Sequence, residues 1–385
     1  MEPKLDLNRT YAIALEGGGA KGAYEIGVWK ALEEMGVKYN AVSGTSVGAL
    51  NGAMMAMRDL PRAIEAWSDI RLDKVIGYDP DEEENLKKIV SGEIELGDLQ
   101  DVIKQAFDVI RDRGLDVAPL RAWVHEVVDS AKIKASDVSL FIATVSLTDR
   151  KGLELRVNDL KEDEICDMLL ASAYHPSFRL EKLGGKLYAD GGFVDNLPLH
   201  VLVENGYQDI IAVRIPGGMG RERKIKIPED VRVWYIDTDA DLGGVLNFDA
   251  SQARRNIKIG YYDAYHDLCG LYGKHFYIER SMTEREAFDQ IVARYLRRAP
   301  DFPLRELCER ELPRLAKALG VEGDYYELFL ALLEIAAAES GIEPFRFYGD
   351  RELLAAVREA QSRQKEAPDA AGTAEEKEEE LCAVE

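Results

Sequence analysis

Cysteine is scarce in this sequence: Cys166, Cys269, Cys308 and Cys382 are scattered, with no C-x-x-C pair. That spacing argues against a disulfide framework or a zinc site and fits reduced thiols in a cytosol. Long hydrophobic runs are also missing. The longest, such as "LFLALLEIAAA", fall short of the ~20 residues that span a bilayer and are interrupted by Glu334. Net positive charge is absent too. A balance of −22 excludes nonspecific nucleic-acid binding and electrostatic docking on an anionic membrane surface. The start, "MEPKLDLNRTYAIAL", lacks a signal-peptide layout, so a cytoplasmic protein is expected. No internal repeat, H-E-x-x-H or EF-hand pattern is present.

What is there can bury a core: 46% of the 385 residues are apolar, enough for one large domain with an attachment, or two domains. "YAIAL" reads as a strand and "GAYEIGVWKALEEMG" as a helix with Tyr24, Val28, Ala31 and Leu32 along its apolar stripe and Gly36 as its stop. "YNAVSG" follows as a strand and "SVGALNGAMMAMR" as a helix of small residues. This β-α-β-α opening predicts an α/β fold, a mostly parallel sheet covered by helices. A charged helical insertion over about 60–134 either covers a site or adds a layer. The strands "DVSLFIATVSL", "LELRV", "GKLYAD", "DIIAVRI" and "VRVWYID" come next. The domain reading is a catalytic domain over 1–275, a helical C-terminal region over 276–364, and a disordered acidic tail over 365–385.

The stretch "LEGGGAKGAYEIG" places Gly17, Gly18, Gly19 and Gly22 between the first strand and the first helix. Backbone N–H groups at such a turn surround something negative. Gly17, Gly19 and Gly22 satisfy G-x-G-x-x-G, so a dinucleotide-binding oxidoreductase is one reading. That site also needs an acidic residue at the end of the second strand, where this chain has "NAVSGTS". A P-loop needs Lys and Ser/Thr after the last glycine, where Ala23 and Tyr24 stand. In their place stands "GTSVG", a G-x-S-x-G nucleophile elbow with Ser46 between Gly44 and Gly48. Adjacent β-α units bring both motifs to one sheet edge. The negative partner then becomes the oxyanion formed when Ser46 attacks a carbonyl, with the Gly18 and Gly19 N–H groups as donors and Gly17 shaping the approach.

A serine nucleophile needs a base. His200 follows Asp190 and gives the order Ser, Asp, His, but "NLPLHVLVENG" reads as an ordinary helix start. Asp190 in "KLYADGGFVDNLP" is the stronger candidate: a strand delivers it and Gly191-Gly192 turns the chain sharply. Asp195 reads as a turn or cap residue.

The blocks "EGGGAKGAYEIGVWKAL", "GTSVGALNG" and "YADGGFVDNLP" resemble the three defining blocks of patatin-like phospholipases, in the same order, with similarity over roughly residues 9 to 270. The resemblance implies a three-layer α/β/α fold and a serine acyl-ester hydrolase acting on fatty acyl esters of lipids. It implies a Ser46–Asp190 dyad, a Gly17–Gly19 oxyanion hole, and no metal or organic cofactor. Substrates of this kind bring transient contact with a membrane surface. Lys21 occupies the family's basic position, with a structural role as well supported as a catalytic one. In "ASAYHPSF", His175 stands where the family usually has a smaller residue. A catalytically inactive lipid-binding scaffold is the remaining alternative. Since a carboxylate of pKa about 3.9 is a feeble base, the dyad predicts activity that falls in mild acid as Asp190 protonates.

Overall fold

The computed structural model describes residues 2–77, 114–217 and 220–366. The chain divides into two compact units, Met1–Gly270 and Leu271–Glu385. The first holds a seven-stranded sheet in the order β4-β3-β2-β1-β6-β7, with β5 paired to β3. The strands are β1 (Thr10–Leu15), β2 (Lys38–Thr45), β3 (Ser139–Ser146), β4 (Lys151–Arg156), β5 (Tyr188–Asp190), β6 (Asp209–Val213) and β7 (Arg232–Ile236). Four pairings are parallel, while β4 and β5 both run antiparallel to β3. This is the expected three-layer α/β/α arrangement on a mostly parallel sheet.

The layers follow from a period of two. Ala12, Ala14, Ala41, Ile210 and Ala212 face one way and pack with Leu199, Val201 and Leu202 of the helix Leu199–Glu204. The alternate residues Leu15, Val42 and Leu140 face α2 (Val47–Ala56), where Gly52 lets the helix settle onto them. Strands buried on both faces read as near-continuous apolar runs, and β1 is buried along all but its first residue. Beside α2 lies α1 (Ala23–Glu34), packed on the long helix Ala250–Cys269. Their backbones touch through two glycines: a Cβ on Gly27 would fall 1.9 Å from the Ile257 carbonyl oxygen, and one on Gly260 2.0 Å from that of Tyr24.

The second unit is helical around the buried core of Ile291, Tyr326, Phe329 and Leu333. It also contains a short parallel pair, β8 (Tyr277–Glu279), where an apparent strand beginning at His275 is read in the sequence, and β9 (Phe347–Gly349), which helical periodicity conceals. Glu334, inside an apolar helix, accepts the backbone N–H groups of Lys274, His275 and Phe276 through one carboxylate oxygen. No helix among the described residues is long and apolar enough to cross a membrane. The central part of the insertion, residues 78–113, and the acidic tail beyond 366 lie outside the described residues.

Adding a methyl where two backbones touch forces them apart, at about 1–3 kcal/mol. Gly260→Ala is therefore expected to lower the urea midpoint of the first unit. An unchanged midpoint would mean that the two helices do not approach this closely.

Candidate active site

β1 and β2 are adjacent and parallel, with Leu15 opposite Gly44, so the glycine turn and the elbow leave the sheet side by side. After β1, the Glu16 carboxylate accepts the Ile215 N–H (2.7 Å) and the Asn196 side-chain amide (3.0 Å). The same amide donates to the Gly17 carbonyl (3.0 Å), and the Gly17 N–H returns a bond to the Asn196 carbonyl (3.0 Å). Gly17 thus spends its N–H on the scaffold. The Gly18 and Gly19 N–H groups have no acceptor among the described residues. Gly19 has φ +56°, and a Cβ there would fall 2.2 Å from the Val245 carbonyl oxygen. Lys21 donates to the carbonyls of Pro216 (2.8 Å) and Gly217 (3.1 Å), tying the turn to the segment after β6. Gly22 lies under Val47, and its carbonyl accepts from Asn51 (2.9 Å).

The elbow is strained. Ser46 sits at φ 55° and ψ −124° between β2 and α2, a conformation costly for a residue with a Cβ and one that persists only where its surroundings hold it. Two glycines make the turn sterically possible: a Cβ on Gly44 would lie 2.2 Å from the Gly48 carbonyl oxygen, and one on Gly48 2.7 Å from that of Leu15. Ser172 secures it, accepting the Ser46 N–H (3.0 Å) while donating to the Ala143 carbonyl (2.7 Å).

Asp190 reaches the elbow along the edge of β3. β2 pairs with that strand up to Thr45 opposite Ala143. β4 occupies the far edge from Phe141 to Ser146, so β5, paired at Thr144 to Ser146 with Asp190 opposite Thr144, takes up the near edge where β2 stops. It therefore descends antiparallel toward the end of β2, rather than rising beside it. Gly191 fits the junction, because a Cβ there would fall 2.1 Å from the Ala143 carbonyl oxygen. Asp190 is 8% exposed. Burial pushes its carboxyl up to about 6, against the opposing pull of hydrogen bonding from the Ser46 side chain and the Gly192 N–H, the latter at 2.8 Å.

Two histidines matter, in different ways. His200 is remote from Ser46 in its bonding: Nδ1 lies 2.6 Å from Asp195 and Nε2 2.7 Å from Glu154. Asp195 is buried and also accepts the Arg223 N–H (3.1 Å), so it anchors a charged cluster and neither begins a turn nor caps a helix. Glu154, His200 and Glu204 bring ligand atoms within 4.8 Å of one another, yet both imidazole nitrogens already face carboxylates. Those partners outweigh desolvation and raise His200 to about 9. His175, by contrast, lines the same cavity as Ser46 and Asp190.

That cavity has an apolar wall of Leu50, Trp67, Ile70, Val75, Leu120, Trp123 and Phe178. Counted with its open, solvent-facing mouth, the space between the lining atoms is about 800 Å³. Five of those seven side chains come from the described parts of the 60–134 insertion. Sequence reasoning missed Asn196 and Ser172, ordinary polar residues whose partners lie 179 and 126 positions away.

A family model described as Patatin-like phospholipase matches residues 13–203. Among curated relatives, neuropathy target esterase sws of Drosophila melanogaster is 26% identical over 58% of this chain, but over only 14% of its own length. Human patatin-like phospholipase domain-containing protein 6 is 28% identical over 54% of this chain and 13% of its own. Lysophospholipase nte1 of Aspergillus terreus is 50% identical over a shorter stretch, 12% of this chain and 3% of its own length. The chain therefore spans about a seventh or less of these relatives. Among solved structures, the crystal structure of VipD from Legionella pneumophila aligns over 86% of this chain and 85% of that one, at 15% identity and a TM-score of 0.39, too low to carry an argument.

Removing His200 strands buried Asp195 without its cation, at a cost of about 3–5 kcal/mol. His200→Gln is expected to lose stability by that order in chemical denaturation. Because the folded pKa lies above the unfolded one, the imidazolium contribution is fully present below about pH 6.5 and is lost as pH rises through about 9. The wild-type protein should show that decline and the variant should lack it; parallel profiles would overturn the assignment.

Proposed function

Residues 13–203 form a patatin-like phospholipase domain, and on that premise we propose that this chain hydrolyses fatty acyl esters of lipids, with Ser46 as nucleophile and Asp190 as base. The observation that carries the reading is the pairing itself: a strained, helix-capping serine beside a buried carboxylate raised to about 6. An unperturbed aspartate would accept a hydroxyl proton poorly, while one near 6 is closer to the optimum for a general base at neutral pH.

In the proposed mechanism, Ser46 Oγ attacks the ester carbonyl and its proton passes to Asp190. The carbonyl oxygen becomes an oxyanion held by the free Gly18 and Gly19 N–H groups. One such donor is worth about 2.7–4 kcal/mol in the transition state. Collapse breaks the bond to the alcohol, which leaves with the proton from Asp190, and the acyl group stays on Ser46. Water then attacks the acyl-enzyme, Asp190 takes its proton, and the fatty acid leaves as Ser46 is restored. The apolar wall suits the acyl chain. The names of the relatives, an esterase and a lysophospholipase among them, support lipid esters as the substrate class. Scattered cysteines support a cytoplasmic setting, and lipid-ester substrates bring transient contact with a membrane surface.

A fluorophosphonate probe should label the wild-type protein and fail on Ser46→Ala, whose hydrolysis of a lysophospholipid should fall more than about 1,000-fold. A nucleotide-binding protein or an inactive scaffold would not be labelled. The pH–rate profile should lose activity as pH falls through about 6. His175, pushed down to about 4, and His200, up to about 9, leave that limb to Asp190. A limb near 6 that disappears in a histidine variant would sink the dyad.

Ser172→Ala removes the bond that holds the Ser46 N–H. The expected result is a fall in kcat of about tenfold with KM little changed, because the acyl wall is untouched. A change confined to KM would show that Ser172 serves substrate binding instead.

A further inference from the structure

Two asparagines clamp the glycine turn. Asn196 holds its front end by exchanging bonds with Gly17, and Asn51 of α2 holds its back end, donating to the Gly22 carbonyl at 2.9 Å. The Gly18 and Gly19 N–H groups, with no acceptor among the described residues, lie between the two. Asn51 is fully buried. Its amide nitrogen also donates to Glu25 (2.7 Å), and its oxygen accepts the Trp67 indole N–H (2.9 Å). An indole nitrogen only donates, so Oδ1 faces Trp67 and the NH₂ group faces Gly22 and Glu25. Turning the amide over would break all three bonds.

Gly22 sits directly on the elbow helix: a Cβ there would fall 2.4 Å from the side chain of Val47, the residue after Ser46. The oxyanion turn therefore rests on the helix that presents the nucleophile, and Asn51 fixes one against the other. Satisfying a buried carbonyl is too little to explain the bond. Gly22 directly precedes α1, and a carbonyl in that place accepts the first bond of its helix in any case. The arrangement also buries the Glu25 carboxyl, a placement that costs stability. Polar groups kept inside at a cost mark a place where position matters. Trp67, which orients the amide, lines the cavity and packs edge-on against Trp123 of the same wall at 6.3 Å. Asn51 itself is not among the residues that line it.

We infer that Asn51 is a positioning residue for the oxyanion turn, held in its working orientation by the acyl wall through the Trp67 indole. It acts through Gly22 on the Gly18 and Gly19 N–H groups. The inference rests on the hydrolase reading and deepens it, linking the surface that takes the acyl chain to the donors that meet the oxyanion. Displacing such donors weakens the transition state more than the bound ester.

The test uses two ketones of one alkyl chain as inhibitors. A trifluoromethyl ketone adds to Ser46: the bond from Oγ to the carbonyl carbon forms, the hydroxyl proton passes to Asp190, and the carbonyl oxygen becomes the oxyanion. The matching methyl ketone binds without that addition, so the ratio of the two affinities reports oxyanion stabilisation and cancels contact with the wall. Asn51→Leu is expected to lower this ratio, and kcat on a lysophospholipid with it, about tenfold, with KM changed less than about twofold. Trp67→Phe keeps a ring in the wall, drops the N–H, and is expected to lower the ratio about threefold. Because the indole acts through the amide, the double variant should be no worse than Asn51→Leu alone. An unchanged ratio in Asn51→Leu, or a double variant in which the two losses multiply, overturns the inference. Should Asn51→Leu fail to fold, an unchanged ratio in Trp67→Phe overturns it. Fluorophosphonate labelling keeps the two readings apart: a labelled wild-type protein with unchanged ratios removes the role of Asn51 alone, whereas an unlabelled wild-type protein removes the hydrolase.

Discussion

One edge of β3 is shared by two strands that meet end to end, and the site depends on that junction. β2 leaves the edge at Thr45, opposite Ala143, and β5 takes it up at Asp190, opposite Thr144. The residue that follows the first strand end is Ser46, so a hydroxyl and a carboxylate from distant parts of the sequence face each other with no loop needed to span the gap. The Ala143 carbonyl is the fixed point. It accepts the Ser172 hydroxyl that in turn holds the Ser46 N–H, and it leaves room at residue 191 only for glycine. Sites built on strands are held more exactly than sites on loops, and here both reacting side chains stand within one residue of a paired strand end.

The same junction sets the electrostatics. Asp190 lies deep enough that desolvation outweighs its two stabilising hydrogen bonds. Its folded pKa exceeds the unfolded one, so the native state binds the proton more tightly between about pH 4 and 6, and stability is lost as pH rises through that window. The strained backbone of Ser46 adds to this cost. A carboxylate made uncomfortable in the fold is also a better base. Glu25 beneath the glycine turn is likewise raised well above its ordinary value by burial. It accepts from Asn51 at 2.7 Å, and Asn51 also receives the Trp67 indole and grips the Gly22 carbonyl. Wall, turn and elbow helix therefore meet in one buried polar network.

The glycine turn, the elbow and Asp190 were legible in the sequence because each carries its chemistry locally. Gly44 answers a clash within five residues, and although Gly48 and Gly191 answer the backbones of β1 and β3, each stands in a short glycine motif around its reacting residue. The layers were legible for the same reason, since short continuous apolar runs alternating with helical stretches predict a parallel sheet covered on both faces. The direction of β5 was not. Three residues hold no information about orientation, and the pairing comes from which edge of β3 is free. Nor could the sequence reveal that the Gly17 N–H is spent, because its acceptor is a backbone carbonyl 179 positions away. A strand could be read from His275 onward, where β8 lies, but β9 escaped notice because a three-residue strand vanishes inside a helical pattern.

Asp195 and Asn196 show how a remote segment binds these local motifs into one device. The Thr45 hydroxyl donates to the Asp195 carbonyl at 2.8 Å, which fixes the last residue of β2. Asn196 closes the glycine turn with bonds in both directions. The Asp195 carboxylate turns away from the cavity to His200, whose other nitrogen meets Glu154 on the outer strand β4. An acid–imidazole pair that would make a catalytic triad beside a serine is used here as a rivet between the sheet and the segment that shapes the oxyanion turn. With Nδ1 bonded to Asp195 and Nε2 facing Glu154, Ser46 has the Asp190 carboxylate as its neighbour, and the burden of making that carboxylate basic falls on burial alone.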